Sequence, residues 1–181
     1  MPLSERAAIE LLWLKAGLDR TGARDLLRTG IAARPQRADD GRLLYDEQRV
    51  TQLAGRRVWR PAALAEVLPL GAAFARFVPA RPWDATADAA ARLATLGGPW
   101  ALSAAARLAL NAYIDVQGFY PLIGAVSGFF VAGADIVAAP GWSDEPTTLT
   151  LAAPGAWYTP LAEGRWLTGR GGRPLYVWRT G

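Results

Sequence analysis

The chain contains no cysteine and no histidine. The first absence excludes a disulfide framework. Together they exclude every metal site or catalytic dyad that needs a thiolate or an imidazole. Metal chemistry on carboxylates alone is what this composition leaves open. Lysine is nearly missing as well: Lys15 stands alone among twenty basic residues, the other nineteen being arginines. No G-x-G-x-x-G, Walker or G-x-S-x-G sequence occurs, so neither a phosphate-cradling glycine loop of those kinds nor a nucleophile elbow is encoded. Glu5 and Glu10 stand where a signal peptide is basic and then apolar, which points to a cytoplasmic protein.

Long apolar runs are also scarce. The one uncharged stretch approaching a membrane span is Val116–Ala134, nineteen residues. It is broken by Pro121 and by Gly118, Gly124, Gly128 and Gly133, and no basic cluster flanks it. It reads as a buried pair of strands, and no membrane partner is expected.

What the chain does hold is 181 residues, 51% of them hydrophobic, with a formal charge of +4. That is enough apolar material for a packed core. The charge is uneven. Residues 1–60 carry twelve basic and eight acidic side chains, 61–140 carry four and five, and 141–181 carry four and three. The basic excess therefore belongs to the amino-terminal third.

Apolar spacing predicts a helix over 4–16, capped by Ser4 and stopped by Gly17. Asp19 caps a second over about 20–28, closed by Gly30. Two short strands, 33–37 and 42–45, flank the turn Ala38-Asp39-Asp40-Gly41. Asp46 caps a third helix over roughly 47–55. Residues 61–83 read as a helical, proline-rich connector, with a helix opened by Pro61 and an apolar stretch at 70–78. Beyond it, helices are expected at 85–96 and 104–116. Strands are expected at 122–131 and 134–139 (bent at Gly133), at 147–151, and at 175–178. The fold class is therefore α+β: a domain over 1–60, the connector, and an α+β domain over 84–181 with an antiparallel sheet of three to five strands.

Arg20, Arg24 and Arg28 are four apart, so they line one face of the second helix, with Thr21 beside them. No acidic residue is four away on that stripe. Three like charges in a row repel unless an outside anion offsets them, and a duplex backbone does so. The hairpin adds Arg34, Arg37 and Arg42. Three readings stand: duplex DNA, an acidic protein partner, or a stripe that only keeps the helix solvated.

The stretch Asp19–Arg56 resembles the small winged-helix DNA-binding modules of the MerR and excisionase kind. The match lies in Arg20-Thr21-Gly22-Ala23-Arg24-Asp25-Leu26-Leu27, in Arg34 to Tyr45, and in Asp46-Glu47-Gln48-Arg49-Val50. It departs from them in lacking the tight Gly-Val-Ser turn; either helix 4–16 replaces the first helix, or 20–28 is itself that helix. The resemblance implies sequence-specific duplex binding, helix-turn-helix docking, and a role in transcriptional control or as a recombination accessory. In the duplex reading of the stripe and hairpin, Arg20, Thr21 and Arg24 meet base edges, and Arg28, Arg37 and Arg42 meet phosphates; were 20–28 the first helix, the stripe would lie outside the groove.

Eight tryptophans are many for this length, and five lie from Trp100 onward. They serve a thin core, an interface for a homodimer or protein partner, or a ligand pocket. Phe129-Phe130 can both be buried only where both faces of a sheet are covered. Enzymatic candidates are few: the carboxylates Asp115 and Asp135 at the ends of the apolar run, Ser127 without a base, and the glycine-rich 169–174. No enzyme activity, cofactor or metal is expected.

Overall fold

The computed structural model describes residues 2–141, 145–166 and 174–179. Six α-helices are formed among them: α1 Glu5–Ala16, α2 Arg20–Arg28, α3 Glu47–Ala54, α4 Pro61–Val67, α5 Ala89–Gly97 and α6 Ala104–Gln117. Local chemistry starts each one. The side chains of Ser4, Asp19, Asp46, Asp88 and Ser103 accept the backbone N–H three residues on. Pro61 opens α4 at a position whose N–H has no helical partner to lose. Helix α5 begins later than the spacing predicts. Asp84 instead takes the backbone N–H and hydroxyl of Thr86 in a turn of its own.

Ten strands are formed among the described residues: β1 Pro2–Ser4, β2 Gln36–Arg37, β3 Leu43–Asp46, β4 Arg57–Trp59, β5 Ala72–Phe77, β6 Tyr120–Val126, β7 Phe129–Ala138, β8 Thr150–Ala152, β9 Gly164–Trp166 and β10 Leu175–Trp178. Three form a small antiparallel sheet in the order β1-β3-β2. Strand β1 is unforeseen by any local pattern, because Pro2–Ser4 is extended only through pairing with Leu44–Asp46. The other strands make one seven-stranded sheet, ordered β10-β5-β6-β7-β9-β4, with β8 also on β7.

The expected antiparallel pairing is present in β10–β5, β6–β7, β7–β8 and β7–β9, while the expected count of three to five strands is corrected to seven. The large sheet is mixed, with β5 parallel to β6 and β4 parallel to β9. The β5–β6 pair is parallel because α5 and α6 lie between them in sequence, which gives the long crossover a parallel pair needs. Residues 61–83, expected as a connector, supply α4 and the inner strand β5. The expected bend at Gly133 is also corrected. The chain reverses at Ser127-Gly128, both left-handed at φ +49° and +83°, as a two-residue hairpin requires. Gly133 stays inside β7, where a Cβ would fall 2.4 Å from the Tyr158 ring.

The sheet is covered on both faces. One carries Ala73, Ala75, Phe77, Leu122, Val126 and Phe129, in a single apolar cluster with the inward residues of α1, α2, α3, α5 and α6. The other carries Ala72, Phe74, Ile123, Ala125 and Phe130 against Trp59, Leu64 and Leu68. Phe129 and Phe130 are therefore both buried, one per face. The run Val116–Ala134 is the end of α6, then β6, the turn and part of β7. Among the described residues no helix is long and apolar enough to cross a membrane.

Burial pushes the phenols of Tyr120, Tyr158 and Tyr176 up to about 12 from an ordinary 10.0. The Tyr120 hydroxyl lies 3.3 Å from the carbonyls of both Leu70 and Trp178. In the unfolded chain these phenols ionise near their ordinary value, so between the two values the folded state holds more protons. Stability is then fully present below pH 10 and falls as pH rises toward about 12. Ultraviolet titration of phenolate is expected to show Tyr120, Tyr158 and Tyr176 ionising late in the native protein, with burial shifting Tyr45 the same way, and all four at the ordinary value after denaturation. Ordinary titration of all five in the native protein contradicts this packing.

Candidate nucleic-acid interface

Helix α2 rests on α1 through Ala23, Leu26 and Leu27, all buried. That fixes its opposite side outward: Arg20, Thr21, Arg24 and Arg28 are all exposed. The stripe is bounded on both flanks. On the α1 side, Glu5, Arg6, Ile9, Glu10 and Trp13 form a surface groove with Arg20 and Arg24, of about 410 Å³. Trp13 is 54% exposed there. On the other side, the β6–β7 turn meets the start of the helix, and the Ser127 hydroxyl donates to the Gly22 carbonyl at 3.1 Å.

Arg24 has a partner that spacing within its own helix does not reveal. Its Nε lies 3.4 Å from the Glu5 carboxylate on α1, and both side chains stay roughly half exposed. Such an exposed pair is worth about 0–1 kcal/mol and yields readily to a stronger anion. The side chains of Arg20, Thr21 and Arg28 engage no hydrogen bond or ion pair among the described residues.

The hairpin arginines divide. Arg42 bonds Asp40 through Nε at 2.5 Å. The Arg42 backbone N–H first, and its side chain after it, hold the Asp40 carboxyl below its usual range. Arg37 reaches the Gly41 carbonyl at 3.4 Å and is otherwise exposed. Arg34 turns away from the hairpin and donates to the Thr86 hydroxyl. There it adds to the depression of the Asp84 carboxyl, which bonds from Thr86 dominate. The structure therefore brings Arg20, Thr21, Arg24 and Arg28 together on one face, leaves Arg37 and Arg42 exposed near the hairpin tip, and commits Arg34 to the segment ahead of α5.

Arg165, outside the sequence reading, ties this region to the large sheet. It donates to the carbonyls of Ala16, at 2.5 Å, and Arg56, at 3.3 Å. Its guanidinium lies 5.4 Å from the Phe129 ring centroid, and burial lowers its pKa. A cation at the carboxyl end of α1 meets the negative end of that helix.

The enzymatic candidates find other work. Asp135 accepts the Trp157 indole N–H at 2.7 Å and the Gly155 N–H at 3.2 Å, pinning a loop. Asp115 is exposed on α6. Ser127 belongs to the turn. Residues 169–173 and Trp142 lie outside the described residues. Trp59, Trp83 and Trp100 are buried, and Trp157, Trp166 and Trp178 half-buried. No known protein family, curated protein or solved structure matches this chain.

Proposed function

We propose that residues 2–56 form a winged-helix module that binds duplex DNA, and that the protein is a non-enzymatic cytoplasmic transcriptional regulator or DNA-associated accessory factor. The observation that carries this reading is the exposed row Arg20-Thr21-Arg24-Arg28 on a helix held by α1 beside a β-hairpin. The sheet order β1-β3-β2, with two helices between β1 and β2, supports it: helix pair and hairpin wing then belong to one unit. In this reading α1 serves as the first helix of the pair and α2 lies along the major groove. Arg20, Thr21 and Arg24 meet base edges, while Arg28, Arg37 and Arg42 hold phosphates. Arg34, bonded to Thr86, supports the hairpin's base. A homodimer or protein partner through the tryptophan-rich carboxyl-terminal part completes the proposal, two copies reading half-sites about 34 Å apart.

A second reading has one observation in its favour. Trp13, exposed in a groove with Ile9, suits a protein partner that covers α1 and α2. Fluorescence anisotropy with a labelled random duplex at several salt concentrations decides between them. For DNA binding, log K falls linearly with log salt; Arg28→Ala, which removes a phosphate contact, lowers the slope by about 0.9, and Arg24→Ala, which removes a base-edge contact, weakens binding with little change in slope. Binding that ignores salt and both substitutions, or no binding at low salt, removes the DNA reading.

A further inference from the structure

Where the loop after α2, helix α3, the first turn of α5 and strand β7 come together lies a surface hollow of about 400 Å³. Three arginines line it from separate parts of the chain: Arg49 of α3, Arg56 just beyond that helix, and Arg92 of α5. No carboxylate lines it among the described residues. Asp46, three positions before Arg49, accepts the Arg49 backbone N–H at 2.9 Å. Asp88, four positions before Arg92, accepts the Ala91 N–H at 2.8 Å. Glu163 is exposed and acts on the charge of Arg56, but forms no ion pair with it. The side chains of Arg49 and Arg92 engage no hydrogen bond or ion pair among the described residues. Arg56 is half-buried, and its Nη1 donates to the Phe130 carbonyl at 3.0 Å. Phe130 lines the same hollow, so this guanidinium lies at the wall. Its Nε and Nη2 make no bond among the described residues and keep contact with solvent.

A guanidinium stays charged at any pH a protein meets. Three of them around one hollow without a carboxylate repel one another. Burial lowers the pKa of Arg56, which Glu163 and the Tyr158 phenol oppose, and the only group bonded to its guanidinium is a neutral carbonyl. An anion seated in the hollow offsets both costs. The volume is in the range of small-molecule sites, about 300–1,000 Å³, and Ile31 and Val131 give the hollow an apolar side. A phosphate monoester carries only about 1.5 to 2 negative charges at neutral pH, too few for three guanidinium groups, and a second linked phosphoryl group makes up the difference. We propose that the hollow binds a small diphosphate or diphosphate ester. Arg56, held by the Phe130 carbonyl, fixes one phosphoryl group. Arg49 and Arg92, which no bond in the fold restrains, close on the diphosphate through forked N–H···O bonds. The organic part of an ester lies against Ile31 and Val131. The inference is independent of whether α2 binds DNA.

The test uses the full chain and inorganic pyrophosphate, with inorganic phosphate and sulfate as comparisons at one ionic strength. Titration calorimetry is expected to give saturable pyrophosphate binding with Kd about 0.1 mM or below, and phosphate and sulfate binding at least about tenfold weaker. Arg49→Gln and Arg92→Gln remove a charge and break no bond within the fold, and each should weaken pyrophosphate binding about tenfold. Arg56→Gln should weaken it further; the other two keep the test decisive should Arg56→Gln not fold. Arg60→Gln removes an exposed charge that does not line the hollow, and should leave the affinity unchanged. A duplex titration separates free diphosphate from a nucleic-acid backbone as the source of the phosphoryl groups: Arg92→Gln should keep duplex affinity within about twofold. No saturation by about 5 mM pyrophosphate overturns the inference. So does sulfate binding as tightly, affinity untouched by Arg49→Gln and Arg92→Gln, an equal loss in Arg60→Gln, or a parallel loss of duplex binding in Arg92→Gln.

Discussion

Trp100→Ala is expected to remove about 3–5 kcal/mol of folding stability, the range for truncating a fully buried aromatic side chain. Trp100 is 1% exposed and is held on every side. Its indole N–H donates to the Leu96 carbonyl at 2.9 Å, near the end of α5. Phe77 meets it edge-on, with centroids 5.9 Å apart. Arg81 lies 3.6 Å from its ring centroid and bonds the carbonyls of Pro99 and Thr95. The backbone of Trp100 pairs both ways with Thr147. Truncation opens a cavity, strands the Leu96 carbonyl and takes the face from under a guanidinium whose pKa burial already lowers. Trp100→Phe, which keeps most of the area and loses the donor, should lose about half as much. Urea unfolding reads both, as a shift in midpoint at constant slope. A loss below about 1 kcal/mol for Trp100→Ala means that this ring does not join α5 to the sheet as described.

What the sequence made legible was the chemistry of helix ends. Ser4, Asp19 and Asp46 cap helices where spacing predicts, because a cap depends on residues three apart. Features that depend on distant pairing were hidden. Pro2–Ser4 becomes a strand only against residues 44–46. Ala72–Phe77 has a helix-former's alanines, yet both its faces are buried, so alternation is invisible. Gly133 sits mid-strand because Tyr158 packs over it, a contact no local pattern announces.

The candidate site divides along the same line. The row Arg20, Arg24, Arg28 follows from helical period alone, whereas the Glu5 partner of Arg24 and the Thr86 partner of Arg34 come from other elements. Arg49, Arg56 and Arg92 share a hollow only through the fold.

Gly128→Ala should cost about 3 kcal/mol or more, because two effects add. Gly128 is held at φ +83°, where an L side chain is strained. The new Cβ would also fall 2.4 Å from the Trp166 carbonyl oxygen, a backbone atom that cannot move without opening the β7–β9 contact. Gly128 itself accepts the Trp166 N–H at 2.8 Å, so displacing the turn breaks that bond too. The neighbouring Ser127 provides the control. Ser127→Gly relaxes a φ of +49° and loses the hydroxyl bond to Gly22. Those effects oppose, and the change should stay within about 1 kcal/mol. The contrast separates two jobs of one turn. Gly128 closes the hairpin against β9, and the hydroxyl of Ser127 steadies the first turn of α2. If DNA binding runs through that helix, Ser127→Gly should loosen it and weaken duplex affinity with little loss of stability. Gly128→Ala should do its damage in the unfolding curve; equal curves for wild type and Gly128→Ala would mean the turn is not built as described.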